Sequence, residues 1–68
     1  MSLYDYRVSR LLSADDPSFY ALIMAAMRQA DTVNIEKLRT AFPSVWDEFH
    51  ARYHAPGGRL PGDPGGAP

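Results

Sequence analysis

The sequence predicts an all-α fold: a small three- to four-helix domain over residues 1–54, followed by a disordered Pro/Gly-rich tail over residues 55–68. Three observations carry this reading. Apolar residues recur at helical spacing through most of the first 54 positions. Asp16-Pro17, Asn34 and Phe42-Pro43 interrupt that pattern where helices would start and stop. All five glycines and four of the six prolines lie beyond residue 55, where the pattern ceases.

The first stretch, residues 3–13, reads as a helix, because Tyr4, Val8, Leu11 and Leu12 fall at i, i+4, i+7 and i+8 on one face. A strand is the alternative, with Tyr4, Tyr6 and Val8 alternating with Asp5, Arg7 and Ser9. No other segment reads as a strand, so such a strand would need a second copy of the chain to pair with. A second helix is expected from Pro17 to about Ala30, capped by Asp16. Phe19, Leu22, Ile23, Ala26, Met27 and Ala30 would form its apolar face, with Tyr20 and Met24 at one edge and Arg28 opposite.

Asn34 is the expected cap of a short third helix, Ile35 to Ala41, with Val33 and Leu38 at the spacing of a hydrophobic staple. Pro43 ends that helix and opens a fourth, which runs to about His54. On it, Val45, Trp46, Phe49 and Tyr53 share a face with Phe42, while Glu48 and Arg52 form an i, i+4 pair on the solvent side. The core expected from these faces is Leu22, Ile23, Leu38, Phe42 and Phe49. From Ala55 the chain is too rich in Pro and Gly to offset its ordering entropy by burial. Truncation after Gly58 is therefore expected to leave stability nearly unchanged.

Composition narrows the function. A chain of 68 residues builds one small core, and without cysteine it has neither disulfides nor a thiolate metal site to support it. A net charge of −1 argues against a nucleic-acid footprint. The apolar stretch from Phe19 to Met27 is far shorter than the ~20 residues a spanning helix needs, and it lacks the flank of a signal peptide. A cytoplasmic protein with no membrane association is expected.

No catalytic constellation emerges. Ser2, Ser9, Ser13, Ser18 and Ser44 are explained as caps or surface, and no Gly-rich loop is placed to cradle a phosphate. No cofactor is implied. Asp47, His50 and His54 have a spacing that could bring two imidazoles and a carboxylate to one metal, but a structural zinc needs four ligands and no fourth can be named. The helix–Pro–helix unit at residues 35–54 has the length of a helix-turn-helix, but Asp47 and Glu48 at the front of its second helix would repel phosphate.

The run Phe19 to Arg28, then Ala30-Asp31-Thr32, Lys37-Leu38-Arg39, Ala41-Phe42-Pro43, Ala51-Arg52-Tyr53 and Ala55-Pro56-Gly57-Gly58, resembles short uncharacterised proteins of actinobacteria and their phages. Six arginines against one lysine suit a GC-rich coding sequence of that kind. The resemblance implies a small accessory protein and assigns no residue a role.

The function expected is a non-enzymatic helical protein-interaction module. Its contact face would be Tyr20, Met24 and Trp46, with His50 and His54 at the rim, because exposed Tyr, Trp and Met are typical of contact surfaces. A homodimer is the expected assembly, since four short helices leave apolar surface uncovered. The alternative is a small nucleic-acid-binding regulator using Arg7, Arg10, Arg28, Lys37 and Arg39.

Overall fold

The computed structural model describes residues 1–64 and contains four α-helices and one short 3-10 turn. In order these are α1 (Leu3–Ser13), α2 (Phe19–Gln29), α3 (Thr32–Ala41), α4 (Pro43–Tyr53) and a turn at Pro56–Gly58. The all-α class is as the sequence predicts, and no strand occurs among the described residues. Among the same residues no helix is long and apolar enough to cross a membrane.

Three of the four helices start on a side-chain cap. Ser2 Oγ accepts the Asp5 N–H at 3.1 Å, Ser18 Oγ accepts the Ala21 N–H at 3.1 Å, and Asp31 Oδ1 accepts the Asn34 N–H at 2.8 Å. Each satisfies an amide that has no partner inside its helix. The fourth helix begins at Pro43 without a side-chain cap, since its N-cap residue is Phe42, whose side chain has no acceptor; Pro43 at the first position leaves one fewer N–H to satisfy.

Two expected caps are displaced. Asp16 does not cap α2. It occupies the left-handed region (φ 50°), and its N–H bonds to Ser13 O at 3.0 Å, so it closes the turn that ends α1. Pro17 follows that turn, and Ser18 takes the cap two residues later than the Asp-Pro signal places it. In α3 the cap is Asp31, not Asn34, which becomes the residue whose N–H is capped. The expected staple is lost with it, for Val33 is 64% exposed and Ala30 and Ile35 occupy the staple positions instead.

Helices α2, α3 and α4 pack against one another, and α4 also carries the Pro56–Gly58 turn. Met27 of α2, 3% exposed, and Phe49 of α4, 8% exposed, are the buried hydrophobic residues. Of the expected core, Phe49 is buried, while Leu22, Ile23, Leu38 and Phe42 are half-buried, because three short helices have too little bulk to enclose all of them.

Helix α1 packs against no other helix. It has the amphipathic pattern expected, but only Val8 is half-covered, while Tyr4, Leu11 and Leu12 stand exposed. The radius of gyration is 14.0 Å, against about 11 Å for a compact chain of this length. The molecule is elongated, with extents of 46 × 28 × 17 Å.

The chain also keeps a defined course past residue 54, the expected end of the domain. Arg52 Nη1 and Nη2 donate to Asp63 Oδ2 and Oδ1 at 2.7 and 2.9 Å, and Nη1 also reaches Gly58 O at 2.9 Å. Leu60 is half-buried, and its N–H donates to Asp63 Oδ2 at 2.9 Å. Gly57 and Gly58 take positive φ (62° and 69°), which lets the segment reverse and return along α4. Residues 55–64 thus form a strap on the last helix, and the remaining tail positions, 65–68, lie outside the described residues.

Candidate functional site

The residues expected to form one contact face fall into two clefts, one on each flank of α4. Phe49, at the centre of the packed face, separates them. Tyr20 and Met24 of α2 line the first with Val45 and Glu48, a cleft of about 280 Å³. Trp46, His50 and His54 line the second with Met27 and Ile35, an open cleft of about 330 Å³ whose lining also includes Asp31 and Thr32. The division follows from helical geometry: positions 45 and 48 lie on one side of 49, and positions 46, 50 and 53 on the other.

The second cleft is walled by a ladder of rings along α4. Trp46 and Phe49 have centroids 6.1 Å apart, Trp46 and His50 5.4 Å, Phe49 and Tyr53 5.8 Å, and His50 and His54 4.7 Å. Arginines cover several of these faces. Arg28 lies 5.5 Å from the centroids of both Phe49 and Tyr53, and Arg39 lies 5.4 Å from that of Trp46. Arg28 was expected opposite the apolar face of α2. Its position in the last helical turn lets the long side chain lie across the α4 rings, where the aromatic quadrupoles attract it.

The basic residues do not make one stripe. Arg28 and Arg39 lie over aromatic rings, and Arg39 also pairs with Glu36 at 3.1 Å. Arg7 and Arg10 lie on α1 and Lys37 on α3.

Of the three metal candidates, the structure joins two. His50 and His54 have adjacent rings and are both exposed. Asp47 does not complete the set, for no three His, Cys, Asp or Glu side chains converge on a metal position among the described residues.

The strap is the feature sequence reasoning missed. The Arg52 guanidinium holds the Asp63 carboxyl well below the usual carboxylate range, with the Leu60 N–H assisting. Reciprocally, Asp63 and then Glu48 raise the Arg52 pKa. The expected Glu48–Arg52 pair is present at 3.3 Å, but it is one arm of this larger arrangement. The available signal was that Leu60 and Asp63 are the sole large apolar residue and the sole acid after Arg59.

Comparison with protein-family models, curated proteins and solved structures returns no match.

Proposed function

We propose that the chain is a small non-enzymatic helical interaction module. It pairs with a second copy of itself, as an accessory protein of the actinobacterial and phage kind that its sequence resembles. The observation that carries this reading is helix α1, which has an apolar face and packs against no other helix. An isolated helix of 11 residues is marginal in water, so covering that face would stabilise the helix itself.

The area suits such a pairing. Tyr4, Leu11 and Leu12, together with the exposed Phe19 and Tyr20, offer roughly 600 Å² per copy, taking about 150–250 Å² for each full aromatic side chain. A standard stable interface uses about 800 Å² per partner, so the α1 face supplies part of that area and exposed apolar residues of α2 would have to supply more. Twofold pairing would bury the same surface on both copies.

The test is sedimentation equilibrium in chelator-containing buffer from low to high micromolar concentration. The wild type is expected to pass from monomer to dimer, and Leu11→Glu to remain monomeric with an unchanged α2–α4 unit. A wild type that stays monomeric throughout would refute pairing through α1.

A further inference from the structure

We propose that His50 and His54 are half of a metal site that a second copy of this chain completes with its own identical pair, four imidazoles then holding one zinc-like divalent cation. The two residues are one helical turn apart on α4, both exposed, with ring centroids separated by 4.7 Å. Zinc binds imidazole nitrogen at 2.0–2.1 Å, which puts each ring centroid about 3.2 Å from the metal. At that radius the observed separation corresponds to a ligand angle of about 95° at the metal. The centroid separation is therefore that of two ligands on one cation. Aiming one nitrogen of each ring at the metal would take rotation about χ2, a soft torsion in histidine, at the expense of the ring contacts with Trp46 and Tyr53.

One chain supplies two ligands and stops there. No third His, Cys, Asp or Glu joins them among the described residues. A closed zinc site takes four ligands, and a twofold axis beside α4 supplies them without any other residue type. Imidazole donors select zinc, nickel and copper over magnesium and calcium. The charged groups nearby are mixed: Asp31 lines the same cleft and Asp47 precedes His50 by one turn, whereas Arg28 lies across the rings at the far side. Arg39, over the Trp46 ring that adjoins His50, balances the count, so the cation would be held by the imidazole nitrogens rather than by surrounding charge. This inference extends the self-association reading by naming what the second copy contributes, and it can be separated from pairing through α1.

The experiment uses the full chain at a concentration where the chelated protein is monomeric, with zinc added from zero to one equivalent. Sedimentation equilibrium is expected to show dimer saturating at half an equivalent of zinc per chain, reversed by chelator. Trp46, the single tryptophan, stacks 5.4 Å from His50, so its emission should change along the same curve. His50→Ala and His54→Ala should each abolish the zinc-induced dimer, with circular dichroism confirming that these exposed substitutions leave the helices intact. Asp47→Ala should retain it. One zinc per chain without a mass change, dimer surviving in both histidine variants, or no zinc uptake would each overturn the proposal. Leu11→Glu separates the two readings: it should remove metal-free association and leave the zinc-dependent dimer in place.

Discussion

Helices α1 and α2 are each 11 residues long, each begins on a serine whose hydroxyl accepts an amide at 3.1 Å, and each has an apolar face. Their situations differ. Helix α2 buries Met27 against α4, whereas α1 leaves Tyr4 74% and Leu11 71% exposed. The pattern that makes a helix amphipathic states which face wants cover and says nothing about what covers it. In this chain α2, α3 and α4 pack on one another without α1, so under the proposed pairing the free energy of folding and that of association would be assigned to different segments.

The largest test of that division is a matched pair of truncations. Phe49→Ala removes a ring packed among Trp46, Tyr53 and Arg28 and should cost about 3–5 kcal/mol. A domain this small is expected to have little more than that in total, so cooperative unfolding should be lost. Leu11→Ala deletes a similarly apolar side chain from α1 and should change the stability of dilute protein by no more than about 0.5 kcal/mol. Chemical denaturation at low micromolar concentration reads both. Equal effects would mean that α1 is coupled to the core.

The strap on α4 should have an intermediate effect with a defined pH dependence. Asp63 has a folded pKa depressed by the Arg52 guanidinium, so its contribution is fully present above the unfolded value of about 3.9. It is lost as the pH falls through the lower folded value. Asp63→Asn should therefore lower Tm at neutral pH and bring the difference from wild type toward zero in strong acid. Truncation after Gly58 should lower Tm at least as much, since it removes Leu60 as well. This reverses the expectation from composition that the segment is dispensable. An unchanged Tm in both variants would show that the fork is offset by its own ordering cost.

How far each feature could be read from sequence depends on how local its cause is. The limits of α1 and α4, and the burial of Phe49, follow from periodicity and from Pro43, which act within a few residues. The caps of α2 and α3 were misplaced by two and three residues because two suitable side chains compete at each start, Asp16 with Ser18 and Asp31 with Asn34. In the first case a left-handed turn at Asp16 decides the outcome, a conformation open to aspartate that the Asp-Pro helix-start signal does not distinguish from a cap. The Arg52–Asp63 fork spans eleven residues of mostly Pro and Gly, so composition alone reads that segment as unstructured. The contact face reads as one patch in the sequence because Tyr20, Met24 and Trp46 fall near stripe edges, with His50 and His54 at the rim. Which edge meets which cleft depends on the packing of α2 on α4, and periodicity does not contain that.

The smallest expected difference isolates coupling most cleanly. Ser2 and Ser18 make the same hydrogen bond at the same distance to the amide three residues ahead. Replacing either by alanine leaves one terminal amide to water and weakens its helix by about 1 kcal/mol. In α2 that loss falls on a helix the core requires, so Ser18→Ala should lower global stability by the full amount. In α1 it falls on a helix that can open alone. Ser2→Ala should leave the unfolding transition of dilute protein unmoved and instead speed amide hydrogen exchange in residues 3–13 about fivefold. The outcome should then depend on concentration. Once a second copy covers α1, opening that helix requires dissociation, and the Ser2→Ala penalty should reappear as weaker association by up to the square of that factor, since each copy brings one α1. A Ser2→Ala variant that lowers the global transition at high dilution would show that α1 belongs to the folding unit, and the division between folding and association segments would have to be withdrawn.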